Sequence, residues 1–195
     1  MEQLLALIAF SAVSSGTPGP NNLLLWASGA AFGFRRTIPH VVGTALGIGG
    51  MALAVAAGLG ALIVAVPALA FVMKVAGSLY LLYLAWQVAG ASALQRTTVA
   101  RPMSVLQAAA FQVINPKAWI FALGAITTFR PTEWPALLGS VAVALTMMVV
   151  ILPTAALWAG GGELIELVFA GPRARRVISL VLAALLVASV AYVWV

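Results

Sequence analysis

The stretch Ser14–Gly29, SSGTPGPNNLLLWASG, decides the fold because it interrupts an apolar segment with two closely spaced prolines. A proline has no amide hydrogen for the carbonyl four residues earlier in a helix, so Pro18 and Pro20 free the carbonyls of Ser14 and Gly16. Unpaired backbone groups in lipid cost several kcal/mol each. The interruption is therefore expected to face protein or a water-filled cavity.

The composition of the chain indicates a membrane protein. Its 195 residues are 64% hydrophobic and 7% charged, too little charge to cover a soluble domain. Apolar runs of about twenty residues recur, the length that crosses roughly 30 Å of hydrocarbon. The sequence has no cysteine, no aspartate and a single histidine, which argues against disulfides, thiol chemistry and metal clusters. We therefore expect an all-α integral membrane protein without a cofactor.

Six transmembrane helices are predicted, and they form a single transmembrane domain over residues 1–195. The predicted spans are about Leu4–Ala31, Ile38–Val66, Ala68–Gly90, Val105–Phe129, Trp134–Gly160 and Val177–Val195. The connections between them are short and carry the polar and turn residues.

The positive charges predict the orientation. The net charge of +6 comes from residues scattered between apolar spans, with no basic stripe of the kind that binds nucleic acid. Arginines concentrate in the first, third and fifth connections, at positions 35, 36, 96, 101, 173, 175 and 176. The positive-inside bias places these connections in the cytoplasm and both termini outside.

A second interruption lies in the fourth span, in QVINPKAW at residues 112–119. Asn115 is suited to cap a helix that starts at Pro116, and the carbonyl of Gln112 loses its amide partner. In the first span Thr17 is predicted to be the cap and Pro18 the first helical residue. Both broken spans are thus expected to be pairs of half-helices.

The two interruptions occupy corresponding places in the chain. The first and fourth spans each open a group of three, so the halves at about 1–95 and 100–195 cross the membrane in opposite senses. Interrupted spans at matching positions of inverted repeats are the best sequence indication of a transporter's binding site. The alternative is that these prolines only kink helices.

The predicted substrate-binding residues cluster at the two interruptions. They are Ser14, Gly16, Thr17, Pro18, Gly19, Pro20, Asn21, Asn22, Gln112, Asn115, Pro116 and Lys117, with Pro153 and Thr154 as a third possible break that would act as a hinge or site wall.

Lys117 is the most informative single residue. It lies about 12 residues, or some 18 Å, from either end of its span, which is too far for its side chain to reach water. A charge at this depth costs on the order of 3 kcal/mol, and no acid lies within a span to pair with it. Either the lysine is neutral or its counter-ion arrives with the substrate. We hypothesise that Lys117 attracts a substrate carboxylate and that the freed carbonyls of Ser14 and Gly16 accept from a substrate ammonium; the alternative is a structural lysine bonded to carbonyls.

Other polar and small residues favour simpler interpretations. Gly43, Gly47 and Gly50 recur on one face of the second span, as in close helix packing. His40 is expected at the membrane interface, with a proton relay as the alternative.

Four segments carry a family resemblance: TPGPNN at 17–22, AGSLYLLYLAWQ at 76–87, NPKAWIFALGA at 115–125 and LPTAALWA at 152–159. They resemble the lysine exporter and homoserine/threonine exporter superfamily over nearly the whole chain, and the NPKAW version is most similar to the branch with cysteine and O-acetylserine exporters. The resemblance implies a small exporter of amino acids and related metabolites in the bacterial inner membrane, driven by the proton gradient.

The resemblance places the family's TPGPN motif on Thr17–Asn21 and its NPK motif on Asn115–Lys117, the positions chosen above from the proline breaks. Because no acid lies within a span, the second charge of a basic amino acid would lack a partner, so neutral amino acids are favoured. The partners implied are an amino acid, protons and lipid, and a homo-oligomer is compatible with the sequence.

Several other functions are weaker alternatives. A passive channel or a non-transporting scaffold fits the same composition. An intramembrane enzyme could use Ser14 and Lys117 as nucleophile and base, but no third orienting residue is apparent. A metal exporter would have only carbonyls and four peripheral glutamates as ligands.

Overall fold

A computed structural model describes residues 2–90, 101–168 and 171–194 of the chain. These residues are almost entirely helical and contain no strand, so the protein is all-α. Arg96, in the predicted third connection, lies outside the described residues.

The described helices follow the predicted apolar segments. They are α1 Glu2–Gly16, α2 Pro20–Phe32, α3 Phe34–Ala54, α4 Gly60–Ala65, α5 Pro67–Gly90, α6 Val105–Ile114, α7 Pro116–Phe129, α8 Ala136–Val168 and α9 Pro172–Trp194. A π-helical segment, Val55–Leu59, joins α3 to α4 and bends at Gly58, whose φ of 110° lies in the region that favours glycine.

Several helix bounds and one predicted break differ from the predictions. Helix α3 begins at Phe34, before the predicted Ile38, because Gly33 alone, with a φ of 82°, separates it from α2. Helix α8 continues to Val168 instead of ending at Gly160. It also runs through Pro153 without interruption, so the predicted third break is wrong.

Long apolar helices make this a membrane protein. By length and composition, Phe34–Leu59 and Ala136–Val168 can each cross a membrane, and the pair Val105–Ile114 and Pro116–Phe129, bent by 81°, forms a third candidate span. Large apolar side chains point outward, among them Leu106, which is 78% exposed, and Leu137, which is 75% exposed. Such a surface is suited to lipid.

The centre of the protein is formed by α3 and α8, which pack against each other and against the broken helices. Helix α3 also packs on α6, where Gly43 and Gly47 leave no room for a Cβ beside Val105 and Ala109. Gly50 was expected on this face but has open space around it. Helix α5 packs mainly against α9.

Small residues also let α2 approach α8 closely. A Cβ on Gly29 would collide with the backbone of Ala159, and one on Gly162 with the backbone of Trp26. This contact brings the half-helix α2 against the middle of the molecule.

Candidate functional site

The first interruption spans residues 17–19, between α1 and α2. Gly19 is the N-cap residue of α2 and Pro20 its first residue, so the prediction of Thr17 as cap and Pro18 as first residue is wrong. Thr17 instead closes α1: its amide donates to the Val13 carbonyl at 3.0 Å and its hydroxyl to the Ser14 carbonyl at 3.0 Å.

The side chain of Asn22 satisfies carbonyls that the break between α1 and α2 leaves without an amide partner. Nδ2 of Asn22 donates to the carbonyls of Ser15 at 2.6 Å and Thr17 at 2.8 Å. The Ser14 carbonyl, expected to lack a partner, accepts from the hydroxyl of Thr17.

The second interruption is a sharp bend at Asn115, between α6 and α7. Asn115 is the residue before the first residue of α7, Pro116, as predicted, but its side chain does not cap the helix. Its Nδ2 donates to Gln112 Oε1 at 3.1 Å. The Gln112 carbonyl was expected to lack a partner, but it accepts from the Asn115 amide at 3.1 Å. The Val113 carbonyl accepts from the indole of Trp119 at 2.8 Å.

Lys117 joins the two interruptions. Its Nζ lies 2.8 Å from both the carbonyl and the hydroxyl oxygen of Thr17 and 3.3 Å from the carbonyl of Pro18. An ammonium has three donors, so these oxygens complete its hydrogen bonding. They also lie at the C-terminal end of α1, where the helix dipole favours a cation. The alternative interpretation, a lysine bonded to carbonyls, describes this geometry.

A buried polar network continues from the lysine into the protein. Asn21 Oδ1 accepts from Gln112 Nε2 at 2.8 Å and lies 3.2 Å from the hydroxyl of Thr44. Gln112 in turn accepts from Asn115, so α2, α3 and α6 are linked to the second bend. Asn115 is 4% exposed, and its Oδ1 has no hydrogen-bond partner among the described residues.

Two cavities adjoin Lys117. The central cavity measures about 420 Å³, counting its open mouth, and is lined by polar residues of both interruptions and by apolar residues of α7 and α8. The flanking cavity holds about 1210 Å³, counting its open mouth, and lies between α1, α7, α5 and α9. Ser14, Gly19, Pro20, Lys117 and Phe121 line both, so the lysine and these four residues form the wall between them.

Most of the predicted site residues lie on these two cavities. Those on the central cavity are Ser14, Gly19, Pro20, Asn21, Asn22, Gln112, Asn115, Lys117 and Thr154, and the flanking cavity adds Thr17, Pro18 and Pro116. Gly16 lines neither of these cavities but a separate pocket beside Trp26, and Pro153 is on an exposed face of α8.

The prediction missed several residues of the central cavity. The hydroxyl of Ser15 accepts from that of Thr154 at 2.8 Å, and Thr44 is bonded to the network. Both are polar residues within apolar spans, and that signal could have identified them. Phe121 and Ile151 give no such signal, because an apolar residue in a membrane helix is ordinary.

This arrangement of broken helices around a polar cavity within long apolar helices defines a class, the membrane transporters built on discontinuous helices. The chain matches the LysE type translocator family over residues 12–193 and belongs to that family. The protein is therefore a translocator and not an enzyme.

Several known proteins are similar to this chain over nearly their whole length. The chain is 30% identical over 184 residues to cysteine/O-acetylserine efflux proteins of Escherichia coli and Shigella flexneri, and 28% identical to that of Salmonella typhimurium. Each alignment covers 94% of this chain and 93% of the relative. No solved structure matches the chain.

Proposed function

We propose that this protein exports small neutral amino acids and their close derivatives across the bacterial inner membrane, through the central cavity, with the proton gradient as its driving force. The observation that carries the proposal is the position of Lys117, which belongs to one interrupted helix and is bonded to the interruption of the other, at the wall between two cavities.

The proposed architecture is two inverted repeats of three spans, α1–α2, α3–α4 and α5 in one and α6–α7, α8 and α9 in the other. A twofold axis in the membrane plane would relate the two first spans, the two second spans and the two third spans to each other. A contact between the first span of one half and the second span of the other would therefore occur twice, and equivalent spans could pack on each other across the axis. The main packing pairs follow that scheme: α2 with α8, α3 with α6, α3 with α8 and α5 with α9. This pairing supports the repeat.

A substrate carboxylate is expected to compete for Lys117. The lysine is held by neutral oxygens of Thr17 and Pro18. A carboxylate would add the attraction of opposite charges to the hydrogen bond, so a carboxylate in the cavity is a better acceptor than these oxygens. Binding would release the Thr17–Pro18 segment and so open the wall between the cavities.

The ammonium group of the substrate has a different candidate acceptor from the one that the sequence suggested. Asn115 Oδ1 is a buried acceptor with no partner in the described part of the chain, on a residue that lines the central cavity with Lys117. A substrate ammonium that donates to this oxygen would remove the cost of leaving it unpaired. Lys117 would thus bind the carboxylate of a zwitterionic α-amino acid, and Asn115 its ammonium group.

The lining favours a substrate with no further charge. Neither cavity is lined by an acidic residue, so the second positive charge of a basic amino acid would lie near Lys117 without a partner. The relatives named for cysteine and O-acetylserine efflux act on molecules of this neutral type. We propose the same class here, and we place the arginine-bearing connections in the cytoplasm and both termini outside.

Exchange in proteoliposomes tests the proposal. The purified protein should exchange labelled serine or O-acetylserine for internal serine, and should not exchange serinamide, which lacks the carboxylate. Lys117→Met should abolish exchange while Lys74→Met preserves it. Lys74 is the other lysine of the chain, and its Nζ lies 5.8 Å from the Trp194 ring, away from the cavities.

Two results would overturn the proposal. One is exchange by Lys117→Met at the wild-type rate, and the other is failure of the wild type to exchange any amino acid. Accumulation that survives collapse of the proton gradient would remove the proposed driving force. A passive channel would equilibrate serine without accumulating it.

A further inference from the structure

His40 is a buried titratable group that the proposed site does not use. It lies in α3, six residues after the helix begins, and is 1% exposed. Neither Nδ1 nor Nε2 has a hydrogen-bond partner among the described residues. The sequence suggested a residue at the membrane interface, and in the structure the ring is buried within the protein.

An imidazole buried in this way is costly. A neutral ring has one donor and one acceptor, and each buried polar atom left unpaired carries its full desolvation penalty. A structural histidine would normally have at least one partner. The ring therefore has hydrogen-bonding capacity that this conformation does not use.

His40 belongs to a line of polar residues between one end of α3 and the central cavity. Thr37 lies three residues before it and Thr44 four residues after it, so all three share one side of the helix. Thr37 Oγ1 donates to the Gly33 carbonyl at 3.0 Å and lies 3.0 Å from the hydroxyl of Ser28. Thr44 contacts Asn21, which lines the central cavity.

Few charged side chains lie on the helices around His40 that could neutralise a protonated ring. Helices α2 and α6, which pack on α3, carry no titratable residue. The charged or titratable side chains on α3 itself and on the other helices packed against it are Arg35, Arg36, Lys117, Glu163 and Glu166. Of these, Glu163 is bonded to the Phe34 amide and Lys117 to Thr17 and Pro18.

We propose that His40 is the site at which this transporter binds the proton that it exchanges for substrate. An imidazolium at this position would be a buried charge without a hydrogen-bond partner among the described residues, so the protonated protein favours a conformation in which the ring is hydrated. A proton thus shifts the balance between two conformations by its different affinity for each, which is what coupling requires. This inference rests on the proposed function, because it supplies the residue that would carry its driving ion.

The test separates coupling from substrate transport in proteoliposomes. With one proton coupled, a gradient of one pH unit should let the wild type accumulate serine about tenfold. His40→Gln should lose this accumulation but keep serine exchange in the absence of a gradient. Ser11→Ala is the matched control and should keep both activities. Ser11 is also fully buried, and its hydroxyl has no partner among the described residues, but it cannot titrate.

A second measurement needs no substitution. His40 is the only histidine of the chain, so ¹⁵N-histidine labelling gives a single nuclear magnetic resonance signal in lipid. The signal should change protonation state over the pH range in which accumulation changes, and added serine should shift that transition. Accumulation by His40→Gln, or a ring that stays in one state across this range, would overturn the inference. Absence of exchange by the wild type would instead overturn the proposed function.

Discussion

Gly19 is the residue on which the position of Lys117 depends most directly. A Cβ on Gly19 would lie 2.9 Å from Lys117 Cδ and 3.2 Å from its Nζ. The φ of −177° at Gly19 is extended and open to any residue, so alanine causes crowding without backbone strain. Gly19→Ala should move the ammonium away from Thr17. Since a charged hydrogen bond contributes about 1.5–3 kcal/mol, serine exchange should change by about tenfold or more.

Gly16→Ala is the control for this substitution. Gly16 is the last residue of α1, and a Cβ there would meet no atom within 4 Å. Alanine is also the better helix former. Gly16→Ala should exchange serine at the wild-type rate, and exchange rates with thermal melting in detergent measure both variants. Equal exchange rates for Gly19→Ala and the wild type would mean that the position of the Lys117 ammonium beside Thr17 does not matter for transport.

Single residues show where sequence reasoning succeeds and fails. Lys117 could be singled out from the sequence because its depth in the span depends only on counting residues. Its partner could not, because Thr17 lies 100 residues earlier in the chain and is brought near only by packing. The interfacial placement of His40 stays a prediction, but the start of α3 at Phe34 and the burial of the ring could not be read from the sequence, because both depend on Gly33 and on packing.

The start of α3 is stabilised by an acid from another helix. Glu163 of α8 accepts from the amide of Phe34, the first residue of α3, with 3.1 Å between Oε2 and N. A carboxylate at a helix N-terminus satisfies a free amide and complements the dipole. Glu163→Gln keeps the shape but removes the charge, so it should lower stability by about 1 kcal/mol. Thermal melting of the purified protein in detergent measures the change.

Glu133→Gln removes the same charge at a place where it supports no helix. Glu133 is exposed and its Oε1 is 3.3 Å from the hydroxyl of the neighbouring Thr132. Its melting temperature should therefore match that of the wild type. An equal fall in both variants, or in neither, would mean that the contact with Phe34 contributes little.

Helix ends illustrate what proline and glycine patterns can and cannot predict. The two interruptions were predicted from Pro18, Pro20 and Pro116, because a proline removes a backbone donor wherever it lies in a helix. The start of α2 was misplaced because two prolines two residues apart offer two starts, and Thr17 is used to close α1. The end of α8 was misplaced because the glycines after Gly160 serve packing, as Gly162 does against Trp26.

At the scale of the whole molecule, the repeat could be proposed from counting, but the packing could not. Three spans in each half imply opposite senses by arithmetic alone. That α2 packs on α8 and α6 on α3 depends on which glycines meet which backbone, and each of these pairs is far apart in sequence. The helix pairs therefore add support that the sequence alone does not contain.

The proposed topology makes a prediction for four positions. Six crossings with cytoplasmic arginines place Glu2 and Glu133 outside and Arg36 and Arg173 inside, and all four residues are exposed. The chain has no cysteine, so each single substitution, Glu2→Cys, Glu133→Cys, Arg36→Cys or Arg173→Cys, creates a unique thiol in the otherwise native protein. A membrane-impermeant maleimide should label the first two in intact spheroplasts and the last two only after permeabilisation. If Glu2→Cys and Glu133→Cys were labelled from opposite sides, the chain would cross the membrane an odd number of times between them instead of four times. The two halves would then not be inverted.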